Sequence, residues 1–175
     1  MECATPNPVI NNSGGNPVQI FICGADEIDQ HRLNHITHIV RINNPNSAQP
    51  APNWFTGQYL QLFFGDVFSR ADAVTCRTRA ADKSDIEQVL TFSQNAESLL
   101  VSCDYGASRS PAIALIVLAA KFGVGNEQEA LDMVFKVRPE SMPNEYVVAL
   151  GDLLLKRSGK LLQTLRDSYE SIICL

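Results

Sequence analysis

Apolar residues in this chain come first as short continuous runs bounded by turn residues, and take up helical spacing only in its second half. Residues 18–24 (Val-Gln-Ile-Phe-Ile-Cys-Gly), 36–42 and 59–64 are rich in β-branched or aromatic side chains and end at Gly, Asn or Pro, which predicts strands. Leu99, Leu100 and Val101 read as the end of a fourth, buried strand. Between these runs, residues 25–33 fit a short helix. Ser84 with Glu87 three positions later has the form of a capping box that opens a helix to about Ala96. Residues 111–120 are apolar all round and predict a helix buried on nearly every side. Asn126 with Glu129 starts another helix to about Val137, Asn144 caps a further one, and Leu161, Leu162, Leu165, Tyr169, Ile172 and Ile173 form a final amphipathic stripe. Strands alternating with helices predict a single α/β domain: a central, mostly parallel sheet of four or five strands flanked by helices. Residues 1–17 read as a flexible, turn-rich lead before a domain spanning 18–175, and 65–83 as a long loop of the kind that often carries function.

With 175 residues, 45% hydrophobic and 19% charged, the chain suits one globular domain with a sizeable core. A net charge of −5 argues against a nucleic-acid grip and against highly anionic polyphosphoinositide substrates. No apolar run has transmembrane length and no charged-then-apolar leader follows Met1, so no membrane association and a cytoplasmic location are expected. The cysteines at 3, 23, 76, 103 and 174 form no metal-ligand spacing and read as reduced thiols.

The chemistry concentrates in Val101-Ser102-Cys103-Asp104-Tyr105-Gly106-Ala107-Ser108-Arg109-Ser110, a loop between the fourth strand and the most apolar helix. A helix N-terminus gathers unpaired backbone N–H groups and the positive end of the helix dipole, which favour a bound phosphate and a cysteine thiolate alike. Cys103 is the candidate nucleophile. Arg109, with its fixed charge and forked shape, is the candidate clamp on two phosphoryl oxygens. The amides from Asp104 through Tyr105, Gly106, Ala107 and Ser108 to Arg109 complete the cradle, and Gly106 supplies the backbone freedom such a loop needs.

Cys103-x5-Arg109, with Gly106 and Ser108-Arg109-Ser110, resembles the signature of the cysteine-dependent protein tyrosine phosphatases, specifically their dual-specificity branch. The strands at 18–24 and 36–40, Arg138-Pro139 and Pro143-Asn144 extend the resemblance over roughly residues 16–157, and Met142-Pro143-Asn144 with the apolar segment after it is similar to bacterial members. The resemblance implies a dual-specificity phosphatase fold and a thiophosphate intermediate on Cys103. It further implies that Ser110 stabilises the departing thiolate and that Asn144 supports the signature loop. At position 102 the family usually has a histidine that orders the loop; Ser102 retains hydrogen bonding but no titratable charge. This departure leaves a second reading open: a module that captures phosphorylated partners without turnover.

A leaving alkoxide or phenoxide needs a proton. Asp66, directly after the strand at 59–64, is the candidate general acid. Asp72 is its main competitor, Asp82 is a weaker one, and Asp85 reads as part of a helix start. His31, His35 and His38 read as structural histidines, Cys76 as a plain loop cysteine and Trp54 as a packing anchor. No metal or other cofactor is called for. The expected activity is hydrolysis of phosphate monoesters on a phosphorylated protein or peptide, with phosphotyrosine first and phosphoserine or phosphothreonine second. RNA 5′-triphosphate hydrolysis and arsenate reduction, which related loops support, are the other reactions weighed.

Overall fold

The computed structural model describes residues 18–173, with side chains to 170. The lead at 1–17, with Cys3, and Cys174 lie outside the described residues. Four strands, β1 (Gln19–Cys23), β2 (His38–Asn43), β3 (Gln58–Phe63) and β4 (Ser98–Ser102), form one sheet in the order β1-β4-β2-β3. Every pairing is parallel, so all four carboxyl ends open on one edge. In that register Ser102 lies between Cys23 of β1 and Arg41 of β2, and the loop that follows β4 leaves the sheet at its centre.

α3 (Arg109–Phe122) returns from that loop against the sheet, and its residues from Arg109 to Ala119 are all buried. A helix apolar on all sides is stable only with neighbours all round it. Here they are the sheet, α2 (Lys83–Phe92), α4 (Glu127–Val137) and α5 (Glu145–Leu154), with α6 (Lys160–Ile173) packed on α4 and α5. The other face of the sheet is thinner. A 3-10 turn (Ala25–His31) and the segment 44–57 cover Phe21, Ile39 and Leu100 with Ile28, Trp54 and Phe55. Trp54 is a packing anchor, stacked edge-on to Phe55 and donating its indole N–H to Asp29 at 2.7 Å.

Four sequence expectations need correction. The segment 25–33 is a 3-10 turn rather than an α-helix. The 65–83 segment holds a short helix, α1 (Arg70–Thr75), capped by the Ser69 hydroxyl on the Asp72 amide; six residues are too few to show an apolar period. α2 begins two residues earlier than the Ser84–Glu87 box implies and ends before Ala96. Asp82 caps the Ser84 and Asp85 amides, Asp85 reaches back to the Asp82 amide, and Arg79 neutralises Asp85 through both Nη atoms. An aspartate caps as well as a serine, and this one has a reciprocal partner already paired with a cation. Asn126 precedes α4 but gives its amide to the Phe122 carbonyl instead of capping.

Buried Asp152 on α5 fixes the start of α6, accepting from the Gly159 and Leu161 amides at 2.7 Å and the Leu162 amide at 3.3 Å. Asp152→Ala leaves those donors unpaired and is expected to cost about 2 kcal/mol, read as a lower urea midpoint at unchanged slope. An unchanged midpoint would show that water replaces the cap at no cost.

Candidate active site

The loop from Cys103 to Ser108 is pinned by its carbonyls. Asp104 O accepts from the Ala25 amide, Tyr105 O from Arg138 Nη2, Ala107 O from the Met142 amide at 2.7 Å and Ser108 O from the Asn144 amide. With those carbonyls turned outward, none of the amides of residues 104–109 donates to a protein oxygen among the described residues. They are free donors at the N-terminus of α3, the arrangement that binds anions. Gly106 makes the turn possible. Its φ is +70°, and a Cβ there would lie 2.6 Å from the Cys23 carbonyl carbon and the Gly24 nitrogen.

Cys103 is buried at the base of the loop, its Sγ 3.2 Å from the Ser110 hydroxyl. Cys23, one strand away, differs in character: burial, only partly offset by a hydrogen bond with Ser102, pushes its thiol up to about 12. Cys76 is exposed at the end of α1.

Arg109 is 3% exposed. Of its five N–H donors, the two on Nη1 meet Asn44 Oδ1 and the Phe64 carbonyl, both at 3.0 Å, and one on Nη2 meets Asp104 Oδ2 at 2.8 Å. That leaves the second Nη2–H and the buried Nε–H, which has no partner. This adjacent pair has the fork geometry that grips two oxygens of a phosphoryl group.

Asp66 follows β3 on the same edge. Its Oδ1 accepts from Ser108 Oγ at 2.7 Å and from Asn144 Nδ2 at 2.8 Å, while the residue stays open to solvent. Asn144 is almost fully buried. It caps α5 through Oδ1 on the Val147 amide, supports the loop through its own amide and holds Asp66 through Nδ2. Asp72 lies on α1 instead, with none of its hydrogen bonds reaching the loop.

Two further groups join the site that sequence reasoning passed over. Arg41, 4% exposed in the middle of an apolar strand, donates to Ser102 Oγ at 3.0 Å and to Asp104 Oδ1 at 3.3 Å. A lone arginine in such a run is itself a signal, since a buried charge must find a partner. Glu27 pairs with Arg138 at 2.9 Å, and the Gly24 amide, with that arginine, holds its carboxyl below the usual carboxylate range. Two of the histidines read as structural pack on aromatic rings, His31 on Phe21 and His38 on Phe92.

Around the mouth, Tyr105, Phe68 and Met142 present largely exposed apolar side chains. Beside it lies a cleft of about 550 Å³ lined by Arg41, Asp104, Asp29, Tyr59 and the Pro50–Pro52 segment.

No family model and no curated protein matches the sequence. Solved structures do match the fold. DUSP15 is 22% identical, with 92% of this chain and 96% of that one covered at a TM-score of 0.54. The Yvh1 phosphatase domain from Chaetomium thermophilum is 18% identical over 81% of this chain and 93% of that one, at 0.57. PTPMT1, solved in complex with PI(5)P, is 12% identical over 79% and 90%, also at 0.57. The chain thus has the single-domain fold of the dual-specificity branch of the cysteine-dependent protein tyrosine phosphatases.

Proposed function

We propose that the chain hydrolyses phosphate monoesters through a phosphocysteine on Cys103. The observation that carries this reading is the free Nε–H and Nη2–H pair of buried Arg109 beside a row of unpaired loop amides, with a buried thiol at their focus. The Cys103 thiolate attacks phosphorus, the S–P bond forms and the ester P–O bond breaks, with the departing oxygen taking the Asp66 proton. Water then attacks phosphorus and gives its proton to the Asp66 carboxylate. As the S–P bond breaks, Ser110 donates to the returning thiolate across the 3.2 Å contact. The amides from Asp104 to Arg109 hold the three phosphoryl oxygens throughout. Transfer through a thiolate calls on no metal or organic cofactor.

The substrate we assign is a phosphorylated protein or peptide, with phosphotyrosine favoured because the exposed Tyr105, Phe68 and Met142 side chains offer an apolar rim to an aromatic body. Among the described residues no helix is long and apolar enough to cross a membrane, and the chemistry needs a reduced thiol, which fits the cytoplasm. The capture-only module is the second reading, because Ser102, which accepts from Arg41, stands where the resemblance expects a histidine.

The test is acid quench within the first turnover of a 32P-labelled phosphotyrosine peptide, with label expected on Cys103. Label on the peptide and free phosphate only would reject the covalent route, and peptide binding with no phosphate release would favour the module. Asp66→Asn is expected to slow an alkyl phosphate by about 10²–10³-fold and to spare p-nitrophenyl phosphate, whose phenoxide leaves unaided. Equal loss on both substrates, or loss on neither, would place the acid elsewhere, with Asp72 next.

A further inference from the structure

A cradle built for a phosphate dianion here carries a carboxylate of its own, that of Asp104, directly after the nucleophile. Left to itself, this group would both occupy Arg109 and repel the substrate. In the structure Arg109 is only one of three groups that hold it. Asp104 Oδ1 is taken by Arg41 Nη2 at 3.3 Å, and Oδ2 is shared between Asn44 Nδ2 and Arg109 Nη2, both at 2.8 Å. The other arm of Arg41 ends on Ser102 Oγ at 3.0 Å. One buried guanidinium from β2 therefore touches the residues on both sides of Cys103, and the parallel register that sets Arg41 beside Ser102 puts it there.

We infer that Arg41 is a positioning residue for substrate binding: it holds the Asp104 carboxylate on the β2 side of the loop, so that Arg109 is released to the phosphoryl group. This rests on the phosphatase reading of the site. When a dianion enters, Arg109 can exchange Asp104 for phosphoryl oxygens, because Arg41 and Asn44 keep the carboxylate neutralised and hydrogen-bonded without it. The serine at 102 belongs to the same device. Its hydroxyl accepts from the guanidinium at 3.0 Å. One arginine thus ties together the two residues that flank the nucleophile, Ser102 and Asp104.

The test is binding of inorganic phosphate at pH 7, measured by titration calorimetry on the wild type, Arg41→Met, Asp104→Asn and the double variant, with circular dichroism melts to check folding. Arg41→Met is expected to bind phosphate about tenfold or more weakly. Asp104→Asn should bind as tightly as wild type or up to about threefold tighter, and the double variant should recover to within about threefold of Asp104→Asn. A purely structural role for Arg41 predicts no such rescue. A double variant as weak as Arg41→Met, an Arg41→Met that binds like wild type, or a roughly tenfold loss in Asp104→Asn each overturns the inference. Should Arg41→Met fail to fold, Asp104→Asn decides alone. The two readings separate cleanly: the expected pattern without Cys103-dependent turnover keeps the inference and removes the catalysis, whereas turnover without the rescue does the reverse.

Discussion

Cys103→Ser is expected to lower turnover of an aryl phosphate by about 10⁴-fold or more while the protein stays folded and still binds a phosphotyrosine peptide. The substitution exchanges sulfur for oxygen in a buried site of nearly the same size, so packing hardly changes. What changes is nucleophilicity, since a serine hydroxyl is scarcely ionised near neutral pH and the group beside it, the Ser110 hydroxyl, is no base. The binding elements, the loop amides and the free edge of Arg109, are left intact. Steady-state kinetics with p-nitrophenyl phosphate and fluorescence binding of a labelled phosphopeptide read the two halves separately. Residual turnover above a hundredth of wild type would mean that Cys103 is not the group that attacks.

The second large effect concerns Gly106. Gly106→Ala asks for a side chain at φ +70° and for a Cβ 2.6 Å from two backbone atoms at the end of β1. Neither obstacle is a flexible side chain that could swing aside. The expected cost is at least about 3 kcal/mol, or a fall in melting temperature of roughly 6–12 °C for a chain of this size. Activity should fall further than stability, because relief requires the loop to lift off β1 and turn its amides away from their common focus. A variant that melts within about 2 °C of wild type would show that the loop can shift cheaply.

The signature loop and the central helix were legible because their residues carry local physics. Cys103, Gly106 and Arg109 at a strand-to-helix junction imply an anion site whatever surrounds them, and an all-apolar helix must be central. Asp66 was legible for a topological reason: a carboxylate just past a parallel strand opens on the edge where the loop lies. Its tether to Ser108 and Asn144 was not, because 78 residues separate Asp66 from Asn144 and only the folded C-terminal half brings them together. Arg41 was invisible in a different way. Read along the strand it is an interruption, and its meaning comes from register, which sets it beside Ser102. The cap of α2 was misread because Ser84 and Asp82 both satisfy capping rules, and the pairing of Arg79 with Asp85 decided between them.

The outward-turned carbonyls of the loop have an entropic consequence. They are held from four separate places, by Ala25 after β1, Arg138 after α4, Met142 in the next connection and Asn144 at the start of α5. The freedom that a loop would ordinarily surrender on gripping an anion has therefore been surrendered already, during folding of the whole domain. Recognition at such a loop begins from donors that are already aimed, and the strength of the grip is underwritten by contacts that never touch the ligand.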